Sequence, residues 1–319
     1  MSLWMKTLGV MMGTLITTGA LAAPPADTVA ALRKAAAQGK IIARRRAARK
    51  LIAIGVPAKT AILELADSDD LVIKRTALRR VIDVAGEDAV PVLNAALRDP
   101  EPFVRIVAVE ELLAVRPRTK EVTTALMAMT SDKDTGVRKA AASAFWTFRR
   151  NVVPLRKRPG WDHAIEVIAR RPLPLEGWKF RKDPGRVGHI RNWFAPTLSE
   201  DDWIDIDIGK FWQDAAPDAV GKYTGVGWYR RVVDLPEKPT GKINDVVIHF
   251  DAVDESVWLW INGEYAGLHD IGPNGWQTPC DINIAPFVRW GEPNQITIRV
   301  LNTAFAGGIW KPAEFQVLK

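Results

Sequence analysis

Cysteine is almost missing from this sequence. Its 319 residues hold one, Cys280, alongside three tyrosines and four histidines. A lone thiol closes no internal disulfide, so packing must hold the fold together. Cys280 lies between Pro279 and Asp281 at the start of an apparent strand and reads as a buried, inert thiol. The histidines, His163, His189, His249 and His269, are scattered. No HExxH, CxxC, GxSxG, P-loop or dinucleotide fingerprint occurs, which argues against metallohydrolase, serine esterase, redox and nucleotide chemistry. Long apolar runs are also scarce. Leu8 to Ala22 is mostly apolar, follows Lys6 and ends in Ala20-Leu21-Ala22, a small-x-small cleavage pattern. Gly13, Thr14, Thr17 and Thr18 interrupt it, and it is shorter than the ~20 residues a spanning helix needs. Residues 1–22 are therefore expected to be a secretory signal peptide, leaving Ala23 as the new N-terminus and no transmembrane segment after cleavage. The expected location is periplasmic or secreted.

Acidic residues are scarce in the first half. Residues 24–171 carry 28 Lys/Arg against 17 Asp/Glu, and residues 172–319 carry 15 against 20. A basic domain suggests nucleic acid as partner. In an exported protein, an acidic glycan, the anionic envelope surface or an acidic protein fits better, so no nucleic acid is expected. The plain alternative is a solvated helix face.

Repetition is abundant. Four segments share one pattern: Ala43-Arg44-x-x-Ala47-x-x-x-Leu51, Ile73-Lys74-x-x-Ala77-x-x-x-Val81, Val104-Arg105-x-x-Ala108-x-x-x-Leu112 and Val137-Arg138-x-x-Ala141-x-x-x-Phe145. Positions i, i+4 and i+8 share one helical face, so each segment predicts the inner helix of a pair. The alanine allows close helix approach. The cation after the first apolar residue can reach carbonyls or an acid of the adjoining unit. Partner helices are expected near Asp27–Gln38, Pro57–Ala66, Asp88–Leu97 and Lys120–Thr130, with start signals at Ser68-Asp69-Asp70, Asp99-Pro100-Glu101-Pro102 and Ser131-Asp132-Lys133-Asp134. Paired helices at a period near 30 form a solenoid and resemble short HEAT repeats, expected over 23–150. Such a solenoid offers a surface to a protein partner or an anionic surface. Its candidate contacts are Arg44-Arg45-Arg46 with Arg49-Lys50, and Arg79-Arg80.

Residues 151–174 read as a basic, proline-rich linker, with a short helix near Trp161–Ala169 capping the last repeat through Trp161. Beyond it the period changes to two. Val246 to Phe250, Val257 to Ile261 and Gln295 to Leu301 alternate, and Asn262-Gly263 marks a hairpin. Short, evenly punctuated strands without intervening helices predict a β-sandwich or jelly roll over 175–319. The fold class is thus multidomain: an α-solenoid followed by an all-β sandwich.

Eleven of the 13 tryptophans lie after residue 160. Several sit in an ordered set of blocks: Gly177-Trp178, Asp201-Asp202-Trp203, Gly225-Val226-Gly227-Trp228-Tyr229-Arg230-Arg231, Phe250-Asp251-Ala252-Val253-Asp254, Asn262-Gly263-Glu264-Tyr265-Ala266-Gly267 and Gly307-Gly308-Ile309-Trp310-Lys311-Pro312. In this order they resemble the sugar-binding domain of glycoside hydrolase family two, the β-galactosidase and β-glucuronidase group, a galactose-binding-like jelly roll. In those enzymes the catalytic carboxylates sit in a later barrel, for which the chain offers no counterpart. Two departures matter. The loop after the hairpin reads His269-Asp270-Ile271-Gly272-Pro273-Asn274-Gly275-Trp276-Gln277-Thr278-Pro279, and Asn302 stands near the place of an aspartate that reaches the hydrolase active site.

Sugars need aromatic faces beside planar polar groups. The candidate ligand contacts are therefore Asp270, Asn274 and Trp276 in the unusual loop, Asn302, and Trp193 between Asn192 and Phe194. Loop tryptophans that simply cover an end of the sandwich are the alternative. Trp258 and Trp260 share one face of a strand whose other face is Val257, Leu259 and Ile261, so they read as core of a central strand. Asp201, Asp202, Asp205 and Asp207 alternate with isoleucines and read as the wet side of a strand. No cofactor is expected. A structural calcium at Asp251, Asp254 and Glu255 stays open, as jelly rolls of this kind sometimes hold one. No catalytic residue is assigned; a glycosidase pair made from Asp270 and another acid has no motif behind it. The expected function is carbohydrate binding without catalysis, with the jelly roll recognising a glycan and the solenoid docking a partner. The alternatives are an interaction scaffold that binds no sugar and an unrecognised glycoside hydrolase.

Overall fold

The computed structural model describes residues 25–148 and 165–319. The expected signal peptide, the expected anchor Trp161 and residues 151–164 of the expected linker lie outside the described residues. No described helix is long and apolar enough to cross a membrane. The chain divides into two compact units at residues 92 and 93.

The first unit holds α1 (Ala26–Ala37), α2 (Ile41–Ile54), α3 (Lys59–Leu65), α4 (Leu71–Leu78) and α5 (Val81–Ala85). The repeat pattern is buried as expected at Ala47, Leu51, Ile73, Ala77 and Val81, whereas Ala43 at its start is exposed. Asp70 caps α4, its carboxylate accepting from the backbone N–H groups of Val72 at 2.8 Å and Ile73 at 3.2 Å. The arginine after the first apolar residue of α2 does what its position predicts. Arg44 donates to the Ala36 carbonyl at 3.2 Å and pairs with Asp69. Arg45 pairs with Asp70 at 2.8 Å, and Arg80 with Asp83 at 2.7 Å. Arg44 and Arg45 of the basic run singled out as a docking surface are therefore turned to holding neighbouring helices together; Arg46, Arg49 and Lys50 remain exposed.

α6 (Val90–Ala96) straddles the division. The second unit continues the repeats with α7 (Pro102–Ala114), α8 (Lys120–Met129) and α9 (Thr135–Ala142). Thr119 and Asp134 cap α8 and α9. Arg105 is buried and forms a two-pronged pair with Asp132, at 2.9 and 2.8 Å, while also donating to the Asp99 and Pro100 carbonyls. Arg138 repeats the motif on the Asp132 and Lys133 carbonyls.

The β region comprises β1 (Val167–Pro172), β2 (Trp178–Lys182), β3 (Ile204–Ile206), short helices α10 (Trp212–Ala215) and α11 (Pro217–Val220), β4 (Gly225–Asp234), β5 (Asp245–Phe250), β6 (Ser256–Ile261), β7 (Glu264–Asp270), β8 (Cys280–Asn283), β9 (Pro293–Asn302) and β10 (Ala313–Leu318). A four-stranded sheet runs β1-β10-β5-β8 and a six-stranded sheet runs β3-β2-β4-β9-β6-β7. One expectation is corrected here: residues 167–172, taken as linker and end of a capping helix, form β1 on the edge of β10, and Leu173 is buried. Residues 167–172 find in β10 a ladder that local composition does not reveal. The hairpin at Asn262-Gly263 has positive φ at both residues, 54° and 85°, as a two-residue turn demands. The aspartates around β3 lie on the wet side: Asp202 pairs with Arg181, Asp205 with Lys179 and Asp207 with Lys210.

The core between the sheets takes Trp178, Phe180, Trp212, Tyr229, Ile248, Leu259, Ile298 and Phe315. The outer face of the six-stranded sheet is apolar too, carrying Trp228, Trp258 and Trp260. Two pieces of chain cover it. One is the segment after β2, which brings Trp193, Phe194 and Trp203. The other is the end of the helical repeat, with Trp146 5.5 Å from Trp258 and Phe148 5.1 Å from Trp260, both edge-on. This covering, and not a third sheet, is why β6 is apolar on both faces.

Candidate functional site

The end of the sandwich that carries the β7–β8 loop is built around two close backbone approaches. At Gly275 a side chain would run into the Glu255 carbonyl oxygen, so only glycine lets the loop settle on the turn before β6. At Gly307 a side chain would meet Asn302 Nδ2 and, at 2.5 Å, Asp254 Oδ2. The first approach presents Trp276. Its ring stacks on Trp310 with centroids 5.5 Å apart and planes at 28°, and its carbonyl accepts from Trp310 Nε1 at 2.7 Å. Trp310 stacks in turn on Phe211, 5.2 Å away at 18°, and Lys311 places its ammonium 4.7 Å from the Trp310 ring. Trp276 is 41% exposed. The result is a three-ring stack with an open outer member and the exposed Asn274 two residues away.

The second approach fixes the turn between β9 and Trp310. Asn302 is fully buried: its Nδ2 donates to the Phe305 carbonyl at 3.1 Å and its Oδ1 accepts from Ala304 N–H at 2.8 Å. Gln213 donates to the same carbonyl at 3.1 Å and accepts from Gly307 N–H at 3.0 Å, while Glu255 holds Thr303 through both its backbone and its hydroxyl. This bracing holds Phe305 at φ 61° with 92% of its surface exposed. Beneath Gly307 the Asp254 carboxyl is buried, with Oδ2 lacking a hydrogen-bond partner, and burial pushes its pKa up to about 7.

The five expected contacts are thus sorted. Asn274 and Trp276 share the loop tip. Asp270 stands at the root of that loop, where its Oδ1 accepts from Gly272 N–H at 3.2 Å, and it borders a different feature, a cavity of about 600 Å³ beside the outer face of the six-stranded sheet. Asn302 is corrected from ligand contact to turn brace, because its amide is consumed by the backbone it folds. Trp193 is likewise corrected: it is 4% exposed, packed edge-on against Trp203 and Trp228 and covered by the Arg181 guanidinium at 4.2 Å. Phe211 and Trp310 were missed. Both belong to the stack, yet they lie far from the loop in sequence.

The calcium candidates do not converge. Asp251 pairs with His249, Asp254 is buried under Gly307, and Glu255 is taken by Thr303. Among the described residues no cluster of three or more metal-ligating side chains occurs. Cys280 is buried, and burial pushes its thiol well above the ordinary range.

Residues 176–310 match the family model described as glycosyl hydrolases family 2, sugar binding domain, and residues 61–146 match that for HEAT repeats. Among curated proteins, a β-galactosidase of Priestia megaterium is 28% identical over 144 residues, covering 39% of this chain and 13% of the relative. A second, β-galactosidase BoGH2A of Bacteroides ovatus, is 27% identical over 124 residues, covering 36% and 14%. The chain therefore spans about one seventh of the length of these relatives. Among solved structures, a Ruminococcus gnavus β-glucuronidase aligns at 18% identity with a TM-score of 0.41, over 49% of this chain and 30% of the other. The chain joins a HEAT-repeat region to a domain that resembles the family-two sugar-binding jelly roll.

Proposed function

We propose that this protein is an exported carbohydrate-binding protein without glycosidase activity, and that the sandwich end carrying Trp276 is its glycan contact. The observation that carries this reading is the Phe211–Trp310–Trp276 stack. A ring exposed at the outer end of a rigid stack offers a flat apolar face, and the exposed Asn274 amide lies two residues away on the same loop. That is what the C–H face and hydroxyls of a sugar require. The bracing of the neighbouring turn keeps the face preorganised, which lowers the entropy cost of binding. The similarity to the sugar-binding domain of β-galactosidases supports the ligand class. The exposed Arg46, Arg49 and Lys50 on the repeats are the residues left to meet a protein partner or an anionic surface.

Tryptophan emission titrated with a panel of neutral and acidic oligosaccharides is expected to shift on binding. Trp276→Ala should weaken that binding by about tenfold or more, roughly 1.4 kcal/mol. No shift across the panel would sink the reading. Release of reducing sugar by the purified protein would overturn its non-catalytic part.

A second reading, an interaction scaffold, is favoured by one feature. Phe305 is held almost fully exposed on a turn braced by three side chains. An aromatic ring presented so firmly also suits a protein interface. Loss of partner binding in Phe305→Ser with sugar binding unchanged would separate the two.

A further inference from the structure

Arg299 projects from β9 on the outer face of the six-stranded sheet and is only 5% exposed. Its guanidinium lies between two indoles, 4.2 Å from the Trp258 ring and 4.6 Å from the Trp146 ring. Stacking satisfies the faces of a guanidinium and leaves its in-plane N–H donors unserved. No described residue accepts a hydrogen bond from it, and its Nε is fully buried without a partner. A buried cation in that state is costly unless something supplies the acceptors. The acid whose charge acts on it, Asp183, is already committed to Val187 N–H, Gly188 N–H and Trp228 Nε1–H.

Arg299 lines the cavity of about 600 Å³ that Asp270 borders, a size typical of small-molecule sites. Two further cations line it, Lys139 from α9 and Arg186 from the segment after β2. They oppose one another: Arg186 lowers the pKa of Lys139, and, after burial, also that of Arg299, which falls to about 9. Three cations thus line one cavity. The acids that line it are Glu110 and Asp270. His189, neutral because burial and Arg299 hold it down to about 4, spends its Nε2–H on the Ala142 carbonyl.

We propose that this cavity is an anion site, separate from the aromatic stack, in which Arg299, Arg186 and Lys139 bind the carboxylate, sulfate or phosphate group of a small hydroxylated ligand. A planar guanidinium clamped between rings presents a preset fork to such an oxyanion. Asp270 supplies an acceptor for hydroxyls on the same molecule.

Isothermal titration of the full chain with glucuronate, glucose 6-phosphate, inorganic phosphate and glucose tests this. At least one anion is expected to bind with Kd below about 1 mM, weakening with added salt, whereas glucose does not compete. Sugar anions binding more tightly than inorganic phosphate identifies a hydroxylated ligand; equal affinities identify the oxyanion as all that is bound, which overturns the ligand class. Arg299→Met should abolish binding. The pair Lys139→Ala and Arg186→Ala, both less buried than Arg299, should weaken it about tenfold or more. Trp276→Ala should leave it unchanged, so this site and the glycan contact can fail independently. No heat from any anion up to about 10 mM, or affinity indifferent to the Lys139 and Arg186 changes, overturns the proposal.

Discussion

Asp254 shows how much a single side chain can be set by its cover. With the Gly307 backbone over it and Oδ2 unpartnered, burial pushes its carboxyl from the ordinary 3.8 up to about 7 in the folded protein. The native state therefore holds a proton that the unfolded chain releases between about pH 4 and pH 7. Stability from this group is fully present below the lower value and is lost as pH rises through the upper one, on the order of 4 kcal/mol in total. Asp254→Asn is expected to flatten that fall. Denaturant unfolding of both proteins between pH 5 and pH 8 checks it, and parallel pH profiles would refute it. A residue match marks Asp254 only as part of a block. Its burial comes from a glycine more than 50 residues away, so its titration is invisible in the sequence.

Among elements, the helical repeats were the most legible part, because their signal is local. The Ala47, Ala77, Ala108 and Ala141 positions are all buried, and the cation preceding each of three of them reaches the neighbouring turn or repeat. The Arg105–Asp132 pair is the strongest of these links, with both side chains nearly inaccessible. Asp132→Ala should cost about 3–5 kcal/mol by leaving Arg105 charged and unpaired, whereas Arg105→Met with Asp132→Leu should recover most of it. Urea unfolding followed by circular dichroism at helix wavelengths measures both. The hairpin at Asn262-Gly263 and the wet side of β3 were legible for the same local reason. β1 was not, because Arg170, Arg171 and Pro172 read as linker until β10 is there to pair with them. Trp193 and Asn302 misled because aromatic and amide side chains serve packing and turns as well as they serve sugars. Trp310 and Phe211 escaped because a stack assembled from three separate segments leaves no pattern in any one of them.

For the whole second unit, the outer face of the six-stranded sheet decides the architecture. Its tryptophans were expected to be core, and they are, but what buries them is supplied by Trp146 and Phe148 at the end of the repeats as well as by the segment after β2. Trp146→Ala removes one wall from Arg299 and one cover from Trp258. It is expected to destabilise the unit by about 3 kcal/mol or more and to shift tryptophan emission to longer wavelength. A variant with unchanged unfolding midpoint and emission would show that this contact contributes nothing.

That contact also sets where the protein can be cut. The stretch matched to the sugar-binding domain begins at residue 176, yet the unit that shares its burial begins at Leu93. A fragment trimmed to the matched stretch would strip the helical cover from Trp258 and Trp260 and lose the edge strand beside β10. Exposed indoles and a bared sheet edge are the usual ingredients of self-association. Expressed by itself, such a piece is expected to precipitate or pair with its own copies, and a sugar-binding assay on it would report on that artefact. Residues from the start of α6 onward, with the last repeats attached, are the shorter piece expected to stay dispersed.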